Sequence, residues 1–316
     1  MKISDLKKIM RNLPAQAQLG DTAWRNDYLR SLGLDPGNLY QELEMDSRFV
    51  NTHRDTSYAN ASVTLHSHTF YEMLFCRSCQ GVEYLVGTER YRLHEGDVIM
   101  VPPGISHRPL LNGDPAQPYI RDVLWLSAEF VQQLSRWFPE LQASSETYSA
   151  VLHTKEDVRA AIGKLFEQGV REAESDADDR ELAVIGNTIT LLAQLRRAYA
   201  VRAARPMLAE RPELLDRALQ YIEENLAQKI TLAEVAHRFF VSESTIAQLF
   251  RKKMDVSFYH CVSQRRLIAA KTLIVRNVPL ETISRQVGFS DYSAFYKAFK
   301  KEYGISPRQY RDLQEK

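Results

Sequence analysis

Residues 230–311 carry one pattern twice, about 48 residues apart, and nothing else in the chain restricts its fold as much. The first copy runs from Ile230 to Lys252 and the second from Leu280 to Lys301. Leu232, Val235, Ala236, Val241 and Ser242 of the first correspond to Leu280, Ile283, Ser284, Phe289 and Ser290 of the second. After a one-residue insertion, Phe250, Val256 and Ser257 correspond to Phe299, Ile305 and Ser306. Such self-similarity marks a duplicated supersecondary unit. Each copy reads as a short helix, a tight turn and a second helix, a helix-turn-helix. Ser242 and Ser290 stand where a serine oxygen accepts from an amide that the first helical turn leaves free. In the second copy Gly288 can take the turn at positive φ, whereas the first copy has Phe240 there.

Apolar residues recur at helical spacing in the second helix of each copy: Ile246, Leu249 and Phe250, then Phe295 and Phe299. The opposite faces carry Ser244, Thr245, Gln248, Arg251 and Lys252, and Tyr292, Ser293, Tyr296, Lys297 and Lys300. Side chains of these types reach base edges and phosphates when a helix lies in a major groove. Between the units, Ser257 can cap a helix running through Arg265, Arg266 and Lys271 to Arg276, stopped by Asn277 and Pro279. About 19 residues at 1.5 Å each span roughly 29 Å. Successive major-groove faces of B-DNA lie about 34 Å apart, so this spacer suits two reading helices on one face of a duplex. The plain alternative is a set of amphipathic helices in an interaction domain. Duplication with matched caps and a fitted spacer weighs against it. The pattern points to DNA.

Residues 213–311 closely resemble the DNA-binding domain of the AraC/XylS family of bacterial transcription regulators. The resemblance rests on Val287-Gly288-Phe289-Ser290, Phe295, Phe299-Lys300-Lys301, Tyr303 to Pro307 and Tyr310-Arg311. It implies that Ser244, Ala247 and Gln248 of the first unit, and Tyr292, Ser293, Tyr296 and Lys297 of the second, face bases. Ala247 offers only a methyl group, and the first set carries no charge.

At 316 residues the chain should divide into two or three domains. Its net charge of +1 is uninformative until the chain is split. From residue 213 onward stand 17 Lys and Arg against 12 Asp and Glu; residues 1–212 hold 24 against 28. Positive charge thus gathers where phosphates would bind. No apolar run is long enough to span a membrane, and the N-terminus lacks a secretory apolar core. Three cysteines cannot build a disulfide framework. A cytoplasmic protein, associated with the nucleoid when DNA-bound, is expected.

The N-terminal half alternates short apolar runs with turns: Ala61–Leu65, Tyr71–Cys76, Val82–Val86, Glu89–Leu93 and Val98–Val101. His66-Ser67-His68-Thr69-Phe70-Tyr71-Glu72, and Gly96 through His107 with Asn112 after it, resemble the two motifs of cupins. That resemblance implies a small β-barrel related to jelly rolls. Even numbering turns His66, His68 and Glu72 to one face of an extended chain, and His107 would join from a neighbouring strand. Imidazoles with a carboxylate suit Zn, Fe, Ni or Mn. Alternatively they line an organic-ligand pocket or bond inside the barrel without metal, and no cofactor is required. Phe70, Tyr84, Tyr91 and Trp125 could wall an effector cavity, although core packing explains any one of them. Cys76-Arg77-Ser78-Cys79 is a lone CxxC, read as a strand-end coincidence, and Cys261 as packing.

Helical spacing returns from Ser127, with further helices over Lys155–Val170 and Asp179–Tyr199. The apolar stripe of the last pair predicts a dimer interface, with cover for the barrel as the competing reading. The expected fold is α+β: an extension (1–50), a cupin-like barrel (51–126), a helical dimerisation segment (127–204), a linker (205–212) and an all-α domain of two helix-turn-helix units joined by a long helix (213–316). The expected function is sequence-specific regulation of transcription by a homodimer under a small-molecule effector, with double-stranded DNA and RNA polymerase as partners and no membrane. The alternatives are a metal-dependent cupin enzyme with a DNA-binding appendage, and a constitutive DNA-binding protein. Catalysis is not expected.

Overall fold

The computed structural model describes residue 31 and residues 45–57, 65–111, 118–139, 150–203, 213–254 and 256–314. Most of the expected extension (1–50), residues 61–64 of the expected strand Ala61–Leu65, Asn112 and the 205–212 linker lie outside them.

Eight strands are described: β1 (Val50–Ser57), β2 (Tyr71–Ser78), β3 (Val82–Val86), β4 (Glu89–Arg92), β5 (Val98–Val101), β6 (His107–Leu111), β7 (Tyr119–Leu126) and β8 (Val151–Leu152). They form a five-stranded sheet in the order β1-β7-β2-β5-β8 and a three-stranded sheet in the order β4-β3-β6. Every pairing is antiparallel. The two sheets enclose a core that includes Leu74, Tyr84, Ile99, Val123 and Trp125. Period-2 geometry explains why β2 reads as a continuous apolar run. Leu74 and Cys76 enter this core, while Met73 and Phe75 enter a second one on the outer face. The sulfurs of Cys76 and Cys79 are joined, and both residues are buried. The CxxC thus brings its two sulfurs together across the turn between β2 and β3.

Helices α1 (Ala128–Trp137), α2 (Glu156–Glu174) and α3 (Arg180–Ala203) cover the outer face of the larger sheet. Val184, Leu191, Leu195 and Tyr199 of α3 are buried there with Ile162 and Phe166 of α2. Much of the stripe expected to form a dimer interface is thus spent on the chain's own sheet. Strand β8 returns to that sheet from within the stretch expected to be helical. Its two residues pair with Val98 and Ile99, a signal too short for periodicity to reveal.

The C-terminal part is helical: α4 (Leu214–Glu224), α5 (Leu232–Arg238), α6 (Glu243–Met254), α7 (Phe258–Val275), α8 (Leu280–Gln286), α9 (Tyr292–Tyr303) and α10 (Pro307–Gln314). α5–α6 and α8–α9 are the two expected units. Ser242 caps α6, its Oγ accepting from Thr245 N at 3.1 Å, and Ser257 caps α7 through His260 N at 3.2 Å. The second unit departs from expectation. Asp291, not Ser290, caps α9 by accepting from Ala294 N at 2.7 Å, and Ser290 Oγ donates to that carboxylate. A carboxylate is the stronger partner for the positive end of the helix dipole.

The spacer α7 has 18 residues, about 27 Å at 1.5 Å each. Phe258, Cys261 and Val262 pack in the first unit's core, and Leu267, Ala270 and Ile274 in the second's. One rigid helix therefore belongs to both cores. Its cations are largely absorbed inside: Arg266 donates to Leu226 O and Gln228 O, and Lys271 lies over the rings of Tyr303 and Tyr310. Among the described residues, no helix is long and apolar enough to cross a membrane.

Candidate nucleic-acid interface and barrel cavity

On α6, Ile246, Phe250 and Met254 are buried, so the helix has one committed face. Ser244, Thr245, Gln248, Arg251 and Lys252 stand exposed on the other, with Ala247 half-buried among them. On α9, Phe295 and Phe299 are buried; Ser293, Lys297 and Lys300 are exposed, and Tyr292 and Tyr296 half-buried. Every residue expected to read or grip DNA thus lies on the second helix of its unit and outside the buried core, with Tyr292 packed against the core's edge. The rings of Tyr292 and Tyr296, with centroids 6.3 Å apart and planes tilted by 52°, neighbour Lys297 on this helix.

The barrel reaches this interface directly, which the sequence did not show. Leu85 of β3, Leu110 of β6 and Leu65 sit in the first unit's core with Leu215, Leu219 and Val262. Three arginines stitch the seam. Arg108 of β6 donates from Nη1 to the carbonyl of Met254, the last residue of α6, at 2.7 Å. Arg265 of α7, fully buried, reaches Gly87 O at 2.7 Å and Glu223 at 2.8 Å. Arg90 of β4 binds Asp216 at 2.7 Å and Glu213 at 2.6 Å. Interdomain arginines of this kind carry no helical or strand periodicity, so sequence reading has no handle on them.

Inside the barrel, the predicted His66, His68, Glu72, Tyr84 and Trp125 line one cavity, joined by Asp55, Phe70 and Arg121. It has about 30 Å³ of space for the centres of water-sized molecules, room for roughly two waters. His107 is fully buried behind it, bridged to His66 across the backbone, with ring centroids 4.2 Å apart. Glu72 Oε1 accepts from Trp125 Nε1 at 2.8 Å. Its Oε2 faces His107 Nε2 at 3.2 Å and His68 Nε2 at 3.7 Å. Each imidazole commits Nδ1 to a backbone carbonyl, His68 to Phe70 O and His107 to Ile105 O. A carbonyl only accepts, so Nδ1 carries the proton, and neither buried Nε2 has a hydrogen-bond partner. Burial holds the His68 imidazole below its ordinary value, against the pull of Glu72. Burial also opposes ionising Glu72, but His107 and His68 together hold that carboxyl well below the usual range. The Glu72 carboxylate thus faces both Nε2 atoms inside the barrel, an arrangement in which a proton or a cation can be shared among the three groups.

Arg121 is the cavity residue that parity could have found. It is four positions from Trp125 on β7, so both face inward. It donates to Ser57 Oγ and Asp55 and lies over the Tyr119 ring.

Known proteins match both halves. The helix-turn-helix domain family matches residues 235–312 and the cupin domain family residues 57–117. The arabinose operon regulatory protein of Salmonella typhimurium is 27% identical over 225 residues, covering 71% of this chain and 77% of its own. The chain thus carries a helix-turn-helix domain and a cupin domain, and the relatives it matches include AraC- and RhaR-type transcription regulators. The probable transcriptional regulator LumQ of Photobacterium leiognathi is 33% identical over 142 residues, 44% of this chain and 55% of that one. The solved C-terminal domain of AraT from Geobacillus stearothermophilus shares 31% identity, with a TM-score of 0.32, over 33% of this chain and 88% of that one. Helix-turn-helix regulators of this type bind DNA, and the residues expected to make such contacts here lie on α6 and α9.

Proposed function

We propose that a small polar molecule entering the barrel cavity controls how this regulator holds DNA. One observation carries the reading. His107 and Arg108 are neighbours on β6, and a strand sends consecutive side chains to opposite faces. His107 joins the Glu72 cluster behind the cavity, while Arg108 holds the C-terminal carbonyl of α6. A ligand that shifts β6 by a fraction of an ångström on the cavity side moves the clamp on the first reading helix. For regulation, the ligand must bind the two arrangements with unequal affinity, since equal affinity shifts nothing. Asp55, Arg121 and Glu72 supply hydrogen-bonding groups and Phe70, Tyr84 and Trp125 supply flat apolar walls, a mixture suited to a polar molecule with carbon faces.

Thermal-shift screening of metabolites finds the effector, because a ligand at 100 times its Kd adds about 2.7 kcal/mol to native stability. Footprinting with and without it then reads the effect on DNA. In Arg108→Ala the effector should still stabilise the protein but no longer alter DNA affinity. A variant that keeps the full response removes the β6 route.

A second reading places a cation in the buried cluster. The unpartnered Nε2 atoms of His68 and His107 and the Glu72 carboxylate lie within 4.8 Å of one another and fit a divalent transition ion. Such an ion would offer a positive anchor for an effector oxygen. Metal analysis of the purified protein tests it, and a metal-free preparation with full effector response rejects it.

The working unit in this reading is a homodimer. Leu182 is exposed on α3, and Ile185, Ile189 and Leu192 continue its stripe half-buried. Sedimentation of wild type against Leu182→Glu checks this, and RNA polymerase is the partner through which bound DNA would be read.

A further inference from the structure

We propose that His94, Asp97 and His153 form a second site, on the outside of the barrel, for a divalent transition ion, with zinc the best match. His94 lies in the turn between β4 and β5, Asp97 immediately before β5, and His153 immediately after β8. Three separate stretches of chain therefore converge on one point. Asp97 Oδ2 stands 3.5 Å from His94 Nδ1 and 2.9 Å from His153 Nδ1, and the three donor atoms lie within 4.8 Å of one another. Two ligands about 2.0–2.1 Å from a tetrahedral zinc lie about 3.3 Å from each other. The observed separations straddle that value, so a small closing movement of exposed rings completes the geometry.

The carboxylate is already positioned. Asp97 is 2% exposed, and its Oδ2 accepts from His94 N at 2.7 Å, which fixes its direction as an outer-shell partner would. The histidines are the movable members, with His94 63% and His153 34% exposed at the side chain. Solvent access at that edge leaves coordination positions for water. Two imidazoles and one carboxylate favour zinc, nickel or copper over magnesium or calcium, which prefer all-oxygen shells. The site is distinct from the His68–Glu72–His107 cluster, which is enclosed in the barrel and belongs to the cavity. An ion here would tie β8 and the start of α2 to the β4–β5 turn, fastening the helical cover to the barrel.

Zinc titration of the chelator-treated full chain, read by calorimetry and by melting temperature, tests the proposal. The arms are wild type, His94→Gln, His94→Gln with His153→Gln, and His68→Gln. His94→Gln keeps the His153–Asp97 hydrogen bond, and its metal-free melting temperature should equal that of wild type. One zinc-binding event should weaken at least about tenfold in both surface variants, with loss of the zinc-induced rise in melting temperature. That event should survive in His68→Gln. Unchanged zinc affinity in the surface variants, or zinc binding removed only by His68→Gln, overturns the proposal.

Discussion

The two helix-turn-helix units share a pattern but not a situation. Among the described residues the second is self-contained: its core draws on residues from Leu267 to Tyr310. The first shares its core with Leu65, Leu85 and Leu110 of the barrel and is clamped by Arg90, Arg108 and Arg265. Their turns differ to match. Gly288 takes φ of 89°, and a Cβ there would stand 2.0 Å from the carbonyl oxygen of Leu226. Phe240, at the equivalent place, takes φ of 57° and leaves its ring 93% exposed. Duplication thus supplied two helix-turn-helix units, and among the described residues the barrel's leucines enter the core of the first and not of the second. A ligand-driven change would act on one head while the other keeps its grip.

The sharpest way to break this comparison is to alter the two turns. Gly288→Ala should destabilise by about 2–4 kcal/mol, from left-handed strain and a backbone collision, as read by denaturant unfolding. A loss below about 1 kcal/mol would mean that the close approach to Leu226 does not exist. Next in size is the seam. Arg265→Met leaves the Gly87 carbonyl without its donor and should cost about 1–3 kcal/mol, while barrel and DNA domain each keep their fold. If the interface is the regulatory route, the same change also lowers the effect of any effector on DNA binding.

Comparable in size is the autonomy of the second head. Tyr296→Ala with Lys297→Ala should weaken specific DNA binding by about 1–3 kcal/mol without loss of folding, measured by mobility shift and thermal melting. Lys297→Ala alone should lower the salt slope of binding by about 1 and act alike on all sequences. A change in base preference from Lys297→Ala would instead make it a base reader. Smaller still, Phe240→Gly should raise stability by about 0.5–1 kcal/mol, the opposite sign to Gly288→Ala, because an exposed ring has no packing to lose and the left-handed strain is relieved.

The smallest expected effect is a pH dependence at the seam. Arg90 holds the Glu213 carboxyl below its ordinary value through a hydrogen bond and direct charge attraction. A depressed carboxylate adds stability that is complete above its unfolded value, near pH 4.3, and fades as pH falls through the folded one. Melting curves of wild type and Glu213→Gln should therefore differ at neutral pH and converge in acid. A difference that persists in acid would assign the effect to something other than this ion pair.

The sequence by itself determined what is local. Helical spacing placed α5, α6, α8 and α9, Ser242 and Ser257 announced their helices, and strand alternation with two histidine-bearing motifs marked the barrel. Even the second cap failed by only one residue, because the Asp291 carboxylate takes the amide of Ala294 and turns Ser290 Oγ into a donor to it. Tertiary structure alone decided what is distant. It recruited β8, two residues long, to the sheet edge. It turned the α3 stripe largely inward and buried Arg265 of the spacer. It also set Arg108 of the barrel against the end of α6. Periodicity and caps are written in neighbouring residues and cost little to satisfy. Which sheet face meets which helix is settled by apolar area and buried hydrogen bonds summed across the whole chain, and no short stretch of sequence records that sum.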